Sequence, residues 1–408
     1  MTNDYRSDFP FFSNEKNKGL IYFDNAATTQ RPRQVTDAIR HFYEENNANP
    51  LRGLYDLSVR ATEAYENARH SVAHFINAAE DCEVIFTRNA SESLNLVAYS
   101  YGTANIGEGD EIAVSIMEHH SNILPWQMIA KTKGAKLVYL ECDTQSGIIS
   151  DEEIAAKIGS RTKLVAVAHV SNVLGITNDI EKIAKAAHQV GAVVVVDGAQ
   201  AVPHIKTDVQ ALDADFYAFS AHKMTGPTGC GVLYGKKSLL ENMPPFLRGG
   251  EMIEYVTRED ATWAPLPAKF EAGTVNAGGA VGLEVAVKYI ESVGYEYITK
   301  HDNALASRLI DGMKEIPYVH IIGNPDGNRH CGIVTFTIDG VHPHDIATVL
   351  DTERIAIRAG HHCAQPLGSY LGVPATARAS VYFYNTEDEA DIFLSKVKNI
   401  RSWMGFKD

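Results

Sequence analysis

Short runs of apolar, mostly β-branched residues alternate with helical patterns along the first half of the chain. Five such runs indicate strands, at residues 83–88, 110–116, 135–141, 163–171 and 192–200. They are almost continuously apolar, which is typical of parallel strands covered on both faces. Helical patterns lie between them, at 92–101, 122–133 and 179–190. This alternation predicts an α/β fold with a large, doubly wound and mostly parallel sheet.

The pattern changes after residue 260. Segment 262–274 is rich in Pro and Gly and indicates a linker or a crossing segment. Two helical patterns and three short apolar runs follow it, at 277–295, 299–315, 332–338, 355–360 and 378–385. These elements predict a smaller C-terminal α+β domain. We therefore divide the chain into an N-terminal segment (1–20), a large domain (21–262) and a small C-terminal domain (263–408).

Composition narrows the class of protein. The 37 basic and 51 acidic side chains of the 408 residues give a formal net charge of −14, which disfavours nucleic acid and anionic lipid as partners. Five scattered cysteines without a C-x-x-C pair fit a reducing compartment. The first residues lack the pattern of a signal peptide, and the apolar runs fall far short of the ~18 residues that a membrane span needs. We expect a cytoplasmic enzyme with no membrane segment.

Two charged residues stand directly after predicted strands. Asp197 ends the apolar stretch "VVVV" within the run at 192–200, and Lys223 follows a further predicted strand, "DADFYAFS". Ligands of doubly wound sheets lie beyond the carboxyl ends of strands, so both side chains are candidates for a site. A lysine that bonds an aldehyde and a carboxylate that pairs with a pyridine nitrogen are what pyridoxal phosphate chemistry requires. A turn or helix-cap role for Asp197 alone remains the simpler alternative.

Two more segments fit a phosphorylated, planar cofactor. Asn89, Ala90 and Ser91 stand between a strand and a helix, where backbone amides form a natural phosphate site. Asn89 with Glu92 also resembles a capping box, which is the purely structural interpretation. His119 follows another strand and could stack on a ring, although a solvated loop histidine is an equally simple interpretation.

The segment "RAGHHCAQPL" at 358–367 combines an arginine, two histidines and a cysteine. Alone it fits a metal site, a reactive thiol or a polar turn. Three consecutive residues do not readily wrap one tetrahedral ion, which usually has four ligands, so we predict no metal here. If the thiol is the functional group, His361 and His362 are expected to frame Cys363 rather than to bind a metal.

Seven segments together resemble the group II, SUF-type cysteine desulfurases. In chain order they are "YFDNAATTQRP", "MEHHSNILPWQ", "HVSNVLGI", "VVDGAQAV", "FSAHKMTGPTGCGVLYG", "FEAGTVN" and "RAGHHCAQPL". The resemblance covers residues from about 20 to 405. It implies a fold-type I pyridoxal phosphate enzyme of the class V aminotransferase superfamily, which converts L-cysteine to L-alanine and supplies sulfur for iron–sulfur cluster assembly.

The resemblance also implies a role for each matching residue. Lys223 holds pyridoxal 5′-phosphate covalently, Asp197 pairs with its ring nitrogen and His119 stacks on the ring. Cys363 is the nucleophile that becomes a persulfide. The remaining implied contacts are Gln200 to the phenolic oxygen; Ala90, Ser91, Ser220, His222 and, from the other subunit of a homodimer, Thr274 to the phosphate; Asn172 and Arg378 to the substrate carboxylate; and Arg358 beside the cysteine.

Relatives with "VHPHD", here residues 341–345, dock a sulfur-acceptor protein of the SUF system, which can be zinc-bearing. His342 is therefore a candidate contact, although a plain loop histidine is as simple an interpretation. Because the loop around Cys363 is short, we expect a persulfide there to be shielded until a partner fetches it.

Three other functions stay open. Selenocysteine lyase would use the same scaffold. An ordinary class V aminotransferase would have no use for Cys363, and a non-enzymatic sulfur carrier would not need Lys223, Asp197 and His119 together.

The chain departs from the family at one segment. Leu51 and Tyr55 stand where group II relatives usually have two histidines, while Arg52 and Gly53 remain. Any proton-transfer role of those histidines is therefore in doubt here. Two consequences of their loss stay open: a changed pH dependence, or a compensation for Glu251 in the segment "RGGEM".

Overall fold

A seven-stranded sheet forms the centre of the molecule. The computed structural model describes residues 5–51 and 53–406. The described strands are β1 (Ile21–Tyr22), β2 (Val84–Thr87), β3 (Glu111–Ser115), β4 (Lys136–Leu140), β5 (Thr162–Ala168), β6 (Val193–Asp197), β7 (Phe216–Ser220), β8 (Gly231–Gly235), β9 (Ile253–Val256), β10 (Ala261–Trp263), β11 (Val319–Ile321), β12 (Ile333–Ile338), β13 (Ile355–Ala356), β14 (Arg358–Gly360) and β15 (Thr376–Ser380).

Helices cover both faces of that sheet and one side of the C-terminal part. The described α-helices are α1 (Pro10–Ser13), α2 (Arg33–Glu45), α3 (Asp56–Phe75), α4 (Ala90–Val97), α5 (Thr103–Asn105), α6 (Leu124–Lys133), α7 (Asp151–Lys157), α8 (Ile180–Gln189), α9 (Lys237–Asn242), α10 (Ala277–Val293), α11 (Tyr295–Lys314), α12 (Pro343–Thr352), α13 (Gln365–Tyr370), α14 (Glu387–Val397) and α15 (Ile400–Trp403).

The order of the large sheet is β2-β8-β7-β6-β5-β3-β4. All neighbours from β7 to β4 are parallel, whereas β8 is antiparallel to both β7 and β2. The predicted α/β class with a mostly parallel sheet is therefore confirmed. The predicted strands did not include β8, in which only three apolar residues stand between two glycines.

Two apolar cores lie on the two faces of this sheet. Along β5, Val165 and Val167 belong to one core, while Leu164 and Ala166 belong to the other. β6 divides its valines in the same way. A strand whose successive side chains are all buried reads as a continuous apolar run, which is why the sequence revealed these strands.

The C-terminal part is built on a four-stranded antiparallel sheet of order β11-β12-β15-β14. α11, α12 and α14 pack on it around an apolar core. The start of the chain reaches the same place, because β1 pairs in parallel with β13 and Phe23 lies in that core. In contrast, α10 packs against α2 and α3. The domain boundaries at 20/21 and 262/263 remain a prediction.

Candidate active site

A cavity of about 250 Å³ opens at the carboxyl ends of the central parallel strands. Ligands of doubly wound sheets bind at this edge. Residues at or just after the ends of β3, β5, β6 and β7 line it, together with the start of α4 and parts of the C-terminal sheet. The predicted site residues that line it are Ala90, Ser91, His119, Asn172, Asp197, Gln200, Ser220, His222, Lys223, Arg358, Cys363 and Arg378.

Lys223 and Asp197 form the charged centre of the cavity. Lys223 ends a 3-10 turn directly after β7 and is half-buried. Burial lowers the pKa of its amine to about 8, although the Asp197 carboxylate acts in the opposite direction. Asp197 is buried at the end of β6 and accepts a 3.0 Å bond from the Ala199 N–H. Such a lysine carries a substantial fraction of free, nucleophilic amine near neutral pH.

Backbone and hydroxyl groups line the cavity where α4 begins. Asn89 caps this helix, since its side chain accepts the Glu92 N–H at 2.9 Å. The Ala90 N–H donates to Ser220 Oγ at 2.8 Å, and Ser91 Oγ lies 2.6 Å from Ser121 Oγ. The capping interpretation and the phosphate interpretation are thus compatible. A helix start with three surrounding hydroxyls is suited to an anion.

The cavity histidines are neutral near pH 7. Burial, and then the Lys223 charge, lower the pKa of His119 to about 3 and that of His222 to about 4. His119 Nδ1 accepts the Ser121 N–H at 3.1 Å. Its ring is therefore uncharged and held in place, as stacking on a planar ligand requires.

Glu118 supports this loop from behind and was not predicted. The fully buried carboxyl group, whose pKa burial raises to about 8, accepts the Ala168 N–H at 2.7 Å and the Asn122 side-chain N–H at 2.5 Å. Asn122 in turn accepts the Trp126 indole N–H at 2.9 Å. These bonds fasten the turn after β3 to the end of β5. The sequence signal was available, because a carboxylate directly follows a buried apolar run.

Two arginines share one carboxylate at the other end of the cavity. Arg378 is buried and donates to the Asn172 carbonyl at 2.8 Å, while Arg358 makes a two-pronged pair with Asp24, with N–O distances of 3.1 and 3.0 Å. Arg378 also lies 3.5 Å from Asp24. Two cations against one anion leave a net positive charge, which suits a substrate carboxylate. Asp24 was missed because its partner Arg358 is 334 residues away.

Cys363 lies on the loop between β14 and α13. His362 and Cys363 have φ values of +50° and +56°. This left-handed conformation costs about 1–2 kcal/mol for each non-glycine residue. Contacts outside the loop hold it, such as the 2.7 Å bond from the Asn172 side chain to the His362 carbonyl. Cys363 is exposed. Contrary to our expectation, the chain by itself therefore does not shield the thiol.

The two loop histidines differ in environment. His361 is exposed, whereas His362 is buried and bonds Thr376 Oγ1 at 2.8 Å through Nε2. Burial and the Arg378 charge lower the pKa of His362 to about 3. His362 therefore frames Cys363 as an uncharged ring. Within residues 5–51 and 53–406, no three His, Cys, Asp or Glu side chains are grouped as a metal site.

Thr274 does not line this cavity in the same chain. It lines a second cavity, of about 490 Å³, together with Glu271 and Leu247. Leu51 and Tyr55, which replace the family histidines, are exposed and do not line the first cavity. Arg52 lies outside the described residues. Glu251 has a positive φ of 71° and precedes β9 without lining the first cavity.

The cavity carries unsatisfied polar atoms that call for a ligand. Gln200 Oε1, Arg378 Nε and His362 Nδ1 are buried and have no hydrogen-bond partner among the described residues. Each such atom costs about 1–3 kcal/mol unless something binds it. A lysine for an aldehyde, a carboxylate for a ring nitrogen, a flat neutral imidazole and a helix start for a phosphate all fit pyridoxal 5′-phosphate.

The sheet and this donor set define a fold-type I pyridoxal phosphate enzyme. Comparison with protein families agrees with that class: residues 21–393 match the aminotransferase class-V family, and the chain belongs to it. In the described residues, no helix has the length and apolar character that crossing a membrane would require.

Individual relatives narrow the similarity further. The chain is 49% identical over 398 residues to a probable cysteine desulfurase of Halalkalibacterium halodurans, covering 97% of each chain. It is 50% identical over 401 residues to one of Staphylococcus epidermidis, covering 98% of this chain and 97% of the relative. The apo cysteine desulfurase of Thermococcus onnurineus superposes with a TM-score of 0.93 at 41% identity, covering 98% of each chain. The cysteine desulfurase CsdA of Escherichia coli gives 0.91 at 38% identity, covering 99% of each chain.

Proposed function

We propose that this protein is a pyridoxal phosphate-dependent cysteine desulfurase of the group II, SUF type. It converts L-cysteine to L-alanine and keeps the sulfur as a persulfide on Cys363. One observation carries the proposal: the exposed Cys363 lines the same cavity as Lys223 and Asp197. Amino-group chemistry would need the lysine and the carboxylate but not the thiol.

The residues of the cavity would hold the cofactor at four places. Lys223 would bond its aldehyde carbon, Asp197 its ring nitrogen and Gln200 its phenolic oxygen, with His119 against the ring. The phosphate would lie at the start of α4, between Ala90, Ser91, Ser220 and His222. When bound, pyridoxal phosphate supplies an electron sink for a negative charge at the substrate Cα.

Binding and proton transfer then fall to the chain's own groups. Arg378 binds the substrate carboxylate, with Asn172 and Arg358 beside it. Its Nε is buried, no described residue bonds it, and the region is net positive. The Lys223 amine removes the Cα proton, for which its lowered pKa of about 8 is well matched.

Cys363 performs the sulfur transfer. Its thiolate attacks the substrate sulfur, since the thiolate and not the thiol is nucleophilic. A bond forms between the two sulfurs and the Cβ–S bond breaks. The electron pair of the broken bond stays on the three-carbon skeleton, which gains a proton and leaves as alanine.

The test supplies L-cysteine to the cofactor-loaded protein and measures alanine and sulfide, with and without a thiol reductant. Sulfide should appear with the reductant, at the same rate as alanine. The variant Cys363→Ser should retain the cofactor absorbance yet release almost no sulfide, whereas Cys82→Ser should behave as wild type. Full sulfide release from Cys363→Ser would refute the proposal. A strong preference for selenocysteine over cysteine would favour a selenocysteine lyase.

The working form that we propose is a homodimer in which Thr274 reaches the phosphate of the partner subunit. Its position outside the cavity of its own chain supports this. A hybrid of one Lys223→Ala and one Thr274→Ala subunit tests it. If Thr274 acts across the dimer, the hybrid has one intact site and exceeds both parent variants. If it acts within the chain, the hybrid stays as inactive as they are.

We propose that a zinc-bearing sulfur-acceptor protein collects the persulfide sulfur in the cytoplasm, for iron–sulfur cluster assembly. His342 caps α12 and is exposed. The neighbouring His344 lies close to Gly360, the last residue of β14 before the loop that carries Cys363. We propose that the acceptor docks near His342. His342→Ala should lower acceptor-stimulated turnover but not reductant-driven turnover, with the exposed His320→Ala as control. Unchanged stimulation would remove the idea.

A further inference from the structure

His119 and His120 are adjacent in sequence but serve different places. His119 lines the cavity, whereas His120 contacts the loop that carries Cys363. The His120 N–H donates to the Cys363 carbonyl at 2.6 Å. His120 Nε2 accepts the Gln365 N–H at 3.2 Å. One histidine therefore binds the nucleophile loop at the cysteine itself and again two residues later.

The loop needs such contacts because of its conformation. His362 and Cys363 are consecutive left-handed residues, and neither is glycine. A free loop would relax towards ordinary backbone angles and carry the sulfur with it. The hydrogen bonds with His120 oppose that relaxation at Cys363 and Gln365. The Asn172 side chain, which follows β5, donates to the His362 carbonyl and holds the loop from a second direction.

His120 is itself on a rigid base. It begins the 3-10 turn His120–Asn122, and Asn122 is fixed by the buried Glu118. Burial lowers the pKa of His120, and a charge on His361 would lower it further. The neutral ring is the form that can accept the Gln365 N–H.

We propose that His120 is a positioning residue that clamps the loop carrying Cys363. The effect on turnover rests on the proposed function, whereas the effect on the loop does not.

The test is a matched pair of variants in the cofactor-loaded protein, His120→Asn and His120→Gln. The Gln side chain is long enough to offer an oxygen where Nε2 lies, and the Asn side chain, one methylene shorter, is not. His74→Asn serves as control, since His74 is an exposed histidine in the last turn of α3 and does not line the first cavity. Hydrogen exchange of residues 360–368 and the alkylation rate of Cys363 report on the loop. Cofactor absorbance, kcat and KM for L-cysteine report on the site.

In His120→Asn we expect exchange at the Gln365 amide to rise about fivefold, the worth of one typical hydrogen bond. We also expect kcat to fall about tenfold, KM to stay within twofold and cofactor absorbance to be unchanged. His120→Gln should restore most of the exchange protection and of kcat. A merely structural role would impair both variants alike.

Two results would overturn the clamp: wild-type exchange in His120→Asn, or equal losses in the Asn and Gln variants. If the wild-type enzyme forms no alanine from cysteine, the proposed function fails, but the exchange and alkylation results still decide about the clamp.

Discussion

The amine of Lys223 is expected to lose its proton near pH 8, and the reason is burial. A lysine in water has a pKa of about 10.4. At pH 7.5 such an amine is free in roughly one molecule in a thousand, whereas a pKa of about 8 leaves roughly a quarter free. The cavity thus increases the reactive form by about two hundredfold before any cofactor or substrate binds.

Competitive acetylation of the cofactor-free protein measures this directly. A trace of acetic anhydride is added between pH 6 and 11, and peptide mass spectrometry gives the labelling of Lys223 relative to the exposed Lys131. The Lys223 curve should rise with pH and reach its midpoint near 8, because its pKa is lowered and the free amine appears as pH passes through that value.

The variant Asp197→Asn tests how the charge of Asp197 acts on the pKa of Lys223. The Asp197 carboxylate raises the pKa of Lys223, so its removal should move the midpoint below that of the wild type. A wild-type midpoint near 10.4, or an upward movement in Asp197→Asn, would refute the reasoning from burial and charge.

Two further predictions concern stability and cofactor retention. Glu271→Gln should lower the free energy of urea unfolding by about 3 kcal/mol, because it removes the buried carboxylate 2.7 Å from the buried Arg69 and leaves that charge only the half-exposed Glu66. Glu66→Gln, whose side chain is 44% exposed, should cost less than about 1 kcal/mol, and equal losses would contradict the burial argument. Ser220→Ala removes the hydroxyl that accepts the Ala90 N–H and should weaken cofactor binding about tenfold by equilibrium dialysis, a change that corresponds to about 1.4 kcal/mol. Unchanged retention would argue against a phosphate at the start of α4.

The sequence predicted best what local burial produces. β5 and β6 were predicted because residues 164–168 and 193–196 in them are continuously apolar, and the end of β6 pointed to Asp197. Asn172 was implied only by the family resemblance. β8 was not predicted because its apolar run, residues 232–234, is only three residues long and lies between two glycines. The predicted run at 355–360 is two short strands, β13 and β14, in different sheets.

Residues whose role depends on distant partners were not predictable from local pattern. Asp24 matters through Arg358, which lies 334 residues further along the chain. No spacing rule links such positions, because the fold alone brings them together. The left-handed backbone at His362 and Cys363 was not predictable either, because neither histidine nor cysteine indicates such a conformation as glycine does.

The central claim is that Cys363 receives the sulfur of cysteine. In a single turnover without reductant, the cofactor-loaded protein is mixed with limiting L-cysteine, alkylated and digested, and alanine is counted in the same sample. The account predicts one added sulfur atom on the Cys363 peptide for each alanine formed, and none on peptides with the other four cysteines. Alanine formed while Cys363 stays unmodified, or sulfur found on another cysteine, would contradict it.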